Sequence, residues 1–502
     1  VDAILREGRA SIARRGRMIT RPLIAVGASA ALIVAFVAGS LVGLPGPKSG
    51  QPHSGPSPVA FQADLRPAQS CSQLLASYRD RGLAMVSQWG WGGDVQGYAA
   101  AALDNLNAER TLSGTLSQTS SATGTNVQET DVDEPDTVKT DGKLVARLRG
   151  HDLIVYDASG STVVKRSTLN LPDLGDGEIL LTGRTVVAIG TDQVTARDDR
   201  TGLPRGSRVI TVSLTKPSAP AIESTTTYSS RVLSARQHGS IVRLVLAAGL
   251  PDLNFIRPAG KKVTNHQALA ANRLAVQMST IQDWLPTYDS GNGARQLLGC
   301  SDVAIPDAPG LDTVSVVGFD ASTPTKLQAI GLAGATTIAY ESADHLYLAD
   351  GSTQWGCDGC LLGGRLTVGP RQDSGTTHLY DFKLDGVNAI HVASGEVEGS
   401  VRDRWSLDET NDVLRVAVQP SSETGDFNSV VTFRREGQQL AEIGRLDDVG
   451  RGEQLKGVRW FDDLAVLVTY RQVDPLFTID LSNPAAPKLI GKLKIPGYSD
   501  YL

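Results

Sequence analysis

The sequence has few of the residues that mark several functional classes. Aromatic residues make up 5% of the 502 residues and the formal net charge is −6, so the chain offers few stacking platforms and no basic footprint for nucleic acid. It contains no GxSxG motif of a serine hydrolase and no HExxH motif of a zinc hydrolase. The seven histidines are scattered, with none four residues from another. We exclude nucleic acid as a partner and favour a binding protein over an enzyme.

The composition that is present indicates a turn-rich globular protein. With 52 Gly, 24 Pro, 41% hydrophobic and 20% charged residues, the chain can bury a sizeable core and is unlike a helical bundle, a collagen or a coiled coil. The length suggests about three domains of ordinary size, but a closed all-β array can absorb most of it as one unit.

An uncharged run near the amino terminus predicts a membrane anchor. Residues 23–44 carry no charged side chain and are about long enough to cross ~30 Å of hydrocarbon as a helix. Arginines dominate the preceding residues 1–22, which predicts a single-pass protein with a cytoplasmic amino terminus. The alternative is a cleaved signal peptide and a secreted protein, but the apolar core of a signal peptide is usually only ~7–15 residues long.

Two linkers and a helix are predicted before the main domain. Residues 45–69 are rich in Pro, Gly and Ser and are typical of a linker. Ser70 is a good amino-terminal cap for a short stalk helix, and the rest of residues 70–124 becomes polar and aperiodic.

A repeat begins near residue 136. Each copy has two hairpins of alternating apolar strands, and the third strands carry equivalent residues Tyr156, Val212, Phe319, Phe382, Phe433 and Ile479. Insertions fall near 250–311, where Thr264 and Gln267 predict a helix that ends at Pro286, and near 351–376. Six copies predict an all-β fold, a β-propeller of four-stranded antiparallel blades over residues 125–502, in preference to a β-sandwich.

Acidic residues crowd the start of this domain. Asp131, Asp133, Glu134 and Asp136 are hard oxygen donors, so a calcium site is one hypothesis. Their spacing does not match an EF-hand loop. The favoured interpretation is that they are solvated or accept backbone hydrogen bonds where the first blade begins, with no cofactor.

The four cysteines favour disulfides in a chain that is predicted to lie outside the cytoplasm, and they allow three pairings. Cys357 and Cys360 are close enough to close a small ring, which leaves Cys71 to pair with Cys300. A redox pair would need a helix amino terminus beside it, and a four-cysteine zinc site would need two such short pairs.

The segment TNVQETDVDEPDTVKTDG, residues 125–142, resembles the opening motif of a family of secreted or membrane-tethered bacterial proteins with a carboxy-terminal β-propeller, distantly related to WD repeats. Ser70-Cys71, Asp283-Trp284-Leu285-Pro286, Leu298-Gly299-Cys300 and the residues 494–499 are similar as well. The resemblance implies the fold and an extracytoplasmic location. Such proteins continue beyond the equivalent of Leu502, so we expect the six units to be part of a ring of seven or eight blades.

These features together predict a membrane-anchored, extracytoplasmic propeller that binds a protein or a glycan, or acts as a scaffold, at the cell surface. The alternative is an extracytoplasmic hydrolase or lyase with a calcium-assisted site on the propeller face.

Overall fold

The computed structural model describes residues 60–91, 119–120, 123, 126–195, 205–307, 310–350, 375–420, 425–470 and 474–495. Helix α1 (Cys71–Met85) begins where predicted, because the Ser70 hydroxyl accepts a hydrogen bond from the Gln73 backbone N–H at 3.2 Å. Two short hairpins follow, with strands β1 (Val86–Ser87), β2 (Gly90–Trp91), β3 (Thr119–Ser120) and β4 (Asn126–Val127).

The first three sheet units follow in chain order. Unit one contains β5 (Val138–Thr140), β6 (Leu144–Arg149), β7 (Asp152–Asp157) and β8 (Val164–Asn170). Unit two contains β9 (Leu174–Thr182), β10 (Thr185–Asp192), β11 (Ser207–Ser213) and β12 (Ala221–Tyr228). Unit three begins with β13 (Arg231–His238) and β14 (Ile241–Ala247); after an insert of α2 (Asn265–Gln277), α3 (Ile281–Trp284), β15 (Thr287–Asp289), β16 (Arg295–Gln296) and β17 (Val303–Ala304), it ends with β18 (Val314–Asp320) and β19 (Leu327–Leu332).

The remaining three units repeat the same order. Unit four contains β20 (Ile338–Glu341), β21 (His345–Ala349), β22 (Thr376–Asp385) and β23 (Asn388–Glu398). Unit five contains β24 (Ser400–Val401), β25 (Leu407–Thr410), β26 (Val413–Gln419), β27 (Asn428–Glu436) and β28 (Gln439–Val449). Unit six contains β29 (Gln454–Phe461), β30 (Leu464–Tyr470), β31 (Asp474–Asp480) and β32 (Lys488–Ile495).

The predicted repeat is confirmed, since every residue taken as equivalent lies in the third of four main strands, when the two-residue strand β24 of unit five is set aside. In five of the six units the pairing between the third and fourth strands shifts register at that residue, as at Tyr156 and Phe382. Such a bulge increases the local twist of the strand. The all-β propeller of four-stranded antiparallel units is therefore the observed architecture.

Buried apolar side chains hold neighbouring units together. They form five clusters, each between consecutive units; the first includes Val155 and Ile210, and the last includes Val430 and Leu467. Within the described ranges no such cluster joins unit six to unit one. The number of blades in the ring stays a prediction.

The insert of unit three packs on α1 and differs from the prediction in one respect. Helix α2 has the expected capping box, with Thr264 bonded to Gln267 in both directions. The helix ends at Gln277, and α3 starts anew because Thr280 bonds the carboxylate of Asp283. The buried residues of α2 are Ala268, Asn272 and Val276.

Residues 60–69, predicted as the end of a linker, instead form an extended segment against the propeller, which we call the strap. Phe61 pairs with His391 of β23, and Pro67 pairs with Ala304 of β17. The reason is an alternation of side chains, in which Phe61, Ala63 and Leu65 are buried while the residues between them are exposed.

The predicted fold class needs a correction at the membrane. None of the helices in the described ranges is long and apolar enough to cross a bilayer. The longest, α1, has 15 residues and includes Arg79, Asp80 and Arg81. The prediction of a transmembrane helix as part of the fold is therefore not supported. Residues 23–44, where that helix was predicted, lie outside the described residues.

Candidate functional site

The acidic segment that follows β4 lies among the first strands of several units. Asp133 exchanges two backbone hydrogen bonds with Gln237 of β13, at 2.8 and 2.9 Å, and Asp136 does the same with Ile179 of β9. The Gln128 amide donates to the backbone carbonyl oxygens of Arg404 and Leu407 at 3.1 and 3.0 Å. Because it touches units two, three and five, the segment fills the middle of the propeller.

Two of the four predicted metal ligands pair with cations here. The Glu134 carboxylate receives two 2.8 Å hydrogen bonds from the Arg404 guanidinium, and both side chains are buried. Burial opposes the charge, but Arg404 and then Arg236 lower the pKa of Glu134 to about 2. Asp133 lies 2.7 Å from the ammonium group of Lys139, which is fully buried.

The other two predicted metal ligands, Asp131 and Asp136, take no part in these two ion pairs. Asp131 is exposed, with a left-handed backbone φ of 66°, and the carboxylate of Asp136 accepts the backbone N–H of Thr137. Within the described ranges, no group of three or more His, Cys, Asp or Glu side chains is arranged to hold a metal ion. The calcium site stays a prediction without structural support, and we derive no chemistry from it.

Glu129 in the same segment is an acid of a different kind. Its carboxylate accepts a hydrogen bond from the Tyr340 hydroxyl at 2.8 Å, and the same hydroxyl accepts the Glu409 backbone N–H at 2.7 Å. Burial, and next the nearby charge of Asp408, raise the pKa of Glu129 to about 8. This carboxyl group therefore exchanges its proton near neutral pH.

The cysteines form the expected link where they are described. Cys71 at the start of α1 is joined to Cys300 of the insert by a disulfide. The bond holds the end of the strap and the stalk helix against unit three. Cys357 and Cys360 lie outside the described residues.

A cleft of about 700 Å³ opens at the outer rim of the propeller. The strap supplies one wall, the third and fourth strands of unit four another, and the start of β28 in unit five a third. The chemically active side chains of its lining are Asp64, Arg66, Asp307, His378, Tyr380, Ser394 and Glu396. We call it the rim cleft.

His378 in the rim cleft is held by two carboxylates. Its Nδ1 lies 2.9 Å from Asp350, and its Nε2 lies 3.4 Å from the Glu396 carboxylate. The hydrogen bond to Asp350 raises the pKa of His378 above its ordinary value. The imidazole is thus oriented and readily carries a charge.

Ser394 meets a second histidine, but the pair lacks the geometry of a nucleophilic triad. The Ser394 hydroxyl lies 2.9 Å from Nε2 of His391, and the Asp64 carboxylate lies 3.7 Å from the same nitrogen. The opposite nitrogen, Nδ1, is buried without a partner among the described residues. A triad needs the acid on that opposite nitrogen, so Ser394 is not activated here.

Tyr380 is the most unusual group of the rim cleft. It is 5% exposed, and its hydroxyl group makes no hydrogen bond within the described part of the chain. The charges that act on it are those of Asp350, Asp64, Arg81 and Glu396, of which only Arg81 is positive. The hydroxyl is not one of the buried polar atoms, so it is open to the rim cleft and to a ligand there.

The sequence analysis named none of these residues, because residues 45–69 were treated as one linker. The signal was present in the alternation of Phe61, Ala63 and Leu65 with polar residues, which is typical of a half-buried strand. The wall residues of units four and five gave no local signal, because they meet only through the fold.

The six units define the class of the protein as an antiparallel β-propeller. The sequence also matches the family described as Beta propeller domain over residues 122–502, more than half of the chain, and the chain belongs to that family. The predicted resemblance to a propeller family is thereby confirmed.

The individual relatives add little beyond the family. An uncharacterized protein of Methanocaldococcus jannaschii is 37% identical over 137 residues, which are 25% of this chain and 21% of the relative. An uncharacterized protein of Archaeoglobus fulgidus is 38% identical over 130 residues, 25% of this chain and 19% of the relative. The chain thus spans about a fifth of the length of the relatives that it matches.

Two solved structures are similar to the chain at low scores. The β-propeller domain of Myceliophteria thermophila Cps50 (Swd1) is 13% identical, with 72% of this chain and 86% of that chain covered and a TM-score of 0.30. Kluyveromyces lactis Hsv2 is 10% identical, with 71% and 97% covered and a TM-score of 0.22. These scores carry no argument; the fold rests on the sheets and on the family.

Proposed function

We propose that the protein is a binding module whose propeller supports a ligand site at the rim cleft. The observation that carries this proposal is the cleft itself, whose lining combines many polar side chains with a few apolar ones and includes the unpartnered hydroxyl of Tyr380. Preformed concave sites of this kind are where proteins bind ligands. We assign to the rim cleft a ligand that is an exposed side chain of a partner protein.

We propose further that the module works outside the cytoplasm. The disulfide between Cys71 and Cys300 supports this location, because disulfides persist in oxidising compartments and are rare in the cytosol. It also holds the strap, and with it one wall of the rim cleft.

The experiment fills the rim cleft and leaves the rest of the ring intact. The whole chain, as wild type and as Gln439→Trp, is applied to an array of peptides and an array of glycans. Gln439 is exposed on the wall of the cleft, so an indole there occupies its volume. Gln328→Trp, at an exposed position of β19 outside the lining, is the matched control.

We expect the wild type and Gln328→Trp to bind the same peptides and Gln439→Trp to lose them. Equal binding by Gln439→Trp, with an unchanged circular dichroism spectrum, would remove the rim cleft from the function. Binding to glycans alone would overturn the assignment of a protein ligand.

A further inference from the structure

We infer that the rim cleft recognises a protonated primary amine on an aliphatic chain, as a lysine side chain of a partner protein presents it. This inference rests on the proposed binding function and names the ligand of that site.

The free charges of the rim cleft are mainly negative. Asp64 and Glu396 have side chains that are 55% and 66% exposed, and Asp307 is exposed at the opposite wall. Among the lining residues, Arg66 and His378 are the groups of opposite sign. His378 lies 2.9 Å from Asp350 and 3.4 Å from Glu396, so Glu396 is already paired, and the two further carboxylates of the lining, Asp64 and Asp307, stand against the guanidinium of Arg66.

A further cation, Arg81, lies behind the wall and is held in place by the backbone. Its guanidinium donates hydrogen bonds to the carbonyl oxygens of Pro306, Ala333 and Gly310. These bonds fix the guanidinium, and its charge acts on Tyr380 and on Asp307. A cation from outside meets the carboxylates of Asp64 and Glu396, whose side chains are more than half exposed at the mouth of the cleft.

The Tyr380 hydroxyl supplies an acceptor deeper in the site. The residue is 95% buried, being 5% exposed, and the hydroxyl has no partner within the described ranges. The nearby carboxylates of Asp350, Asp64 and Glu396 outnumber the one nearby cation, Arg81, and favour a donor that carries positive charge. An ammonium group has three N–H donors and no acceptor, which matches one hydroxyl oxygen and two carboxylates.

The apolar part of the lining fits the carbon chain that carries the amine. Leu65 and Pro67 of the strap, Ile305 and Pro306 of the insert, and Leu440 of β28 line the same cleft. A lysine side chain lays its methylene groups along apolar surface while its ammonium group meets polar partners.

The test uses isothermal titration calorimetry on the whole chain with acetylated, amidated pentapeptides of glycine around one central residue. The central residue is lysine, Nε-acetyl-lysine, norleucine or glutamate. We expect the lysine peptide to bind most tightly, and its affinity to fall with added salt because the carboxylates at the mouth are exposed.

Three variants identify the groups responsible. Tyr380→Phe and the exposed pair Asp64→Asn with Glu396→Gln should each weaken the lysine peptide about tenfold or more, the cost of losing hydrogen bonds to a charged group. Glu223→Gln, an exposed acid on β12, and Tyr156→Phe in unit one are matched controls and should leave the affinity unchanged.

The outcomes separate this inference from the proposed function. The assignment of an amine ligand is wrong if the norleucine or acetyl-lysine peptide binds as well as the lysine peptide, or if the glutamate peptide binds more tightly. It is also wrong if the lysine peptide does not bind while the array peptides still depend on Gln439. In each of these cases the rim cleft remains a binding site. If no peptide on the array depends on Gln439, the proposed function itself fails.

Discussion

Buried charged side chains at the centre of the propeller are the clearest features at the scale of single residues. Gln128, Glu134 and Arg404 form one hydrogen-bonded group in the middle of the ring. Glu341 forms another between units three and four, where it accepts from His238 at 2.6 Å and from Arg243 at 2.8 Å. Each carboxylate is taken out of water and depends on its partners for compensation.

The first prediction concerns the pair Glu134 and Arg404. Arg404→Met leaves the Glu134 carboxylate buried without its guanidinium, and we expect the free energy of unfolding to fall by about 3–5 kcal/mol. Urea denaturation measures this change. The control is Arg445→Met, which removes a partly exposed pair with Glu442 and should cost less than about 1 kcal/mol. Equal losses for the two variants would contradict a central role for the buried pair.

The second prediction concerns the pKa of Glu129, which is about 8 in the folded protein against an ordinary value of 4.5. The folded protein therefore keeps a proton that the unfolded protein releases over this range. The stability associated with the proton is fully present below pH 4.5 and is lost as the pH rises towards 8. Glu129→Gln keeps an acceptor for Tyr340 and does not ionise, so it should gain about 1–3 kcal/mol over the wild type at pH 8.5 and little at pH 4.5.

Thermal or chemical denaturation at the two pH values tests this prediction. Glu223→Gln, an exposed acid, should show no such difference between them. A Glu129→Gln effect that is the same at both pH values would show that the carboxyl group does not titrate in this window.

At the scale of helices and strands, the sequence predicted the features that depend on contacts between residues close in sequence. The caps Ser70 and Thr264 were readable because each side chain bonds a backbone N–H three residues along. The break after Gln277 was missed because the pair Thr280 and Asp283 competes with a continuous helix. The strap was missed for a different reason: its proline-rich neighbourhood outweighed a short strand pattern whose partners are more than 200 residues away.

The third prediction concerns the disulfide that anchors the strap. It closes a loop of 229 residues, so replacing both Cys71 and Cys300 by Ser should lower the free energy of unfolding by about 2–5 kcal/mol. The strap should also loosen, and the backbone amides of Gln62 and Ala68, bonded to His391 and Val303, should exchange with deuterium faster.

Hydrogen exchange measured by mass spectrometry or NMR tests this effect under conditions where the variant remains folded. The amide of Leu481 in unit six is the internal control, since it bonds Asp463 far from the disulfide. Unchanged protection of Gln62 and Ala68 would show that the strap is held by its strand pairing alone.

At the scale of the whole molecule, the repeat was readable from sequence and the contents of the ring's centre were not. Six pairs of hairpins are local patterns, and each equivalent residue could be aligned by its spacing. The contact of Gln128 with Arg404 spans 276 residues and exists only because the units are arranged around a centre. The rim cleft is similar, since its walls come from the strap, unit four and unit five.

The outer strand of unit six, β32, exposes several apolar side chains. Leu489, Ile490 and Leu493 of β32 are 44%, 59% and 59% exposed. The strand is last in the order of its sheet, and no described strand pairs with its outer side. Exposed apolar side chains on an unpaired edge offer N–H and C=O groups to a neighbouring molecule.

The last prediction follows from that edge. The protein should associate as its concentration rises, and Leu493→Lys should reduce the association because a charge on an edge strand disfavours pairing with a second copy. Sedimentation velocity over a range of concentrations measures the effect. Met278→Lys is the matched control, since Met278 is 54% exposed but caps the end of helix α2 and lies on no strand. If both variants sediment like the wild type, the edge of unit six is not the contact; if both reduce association alike, added charge rather than the edge is the cause.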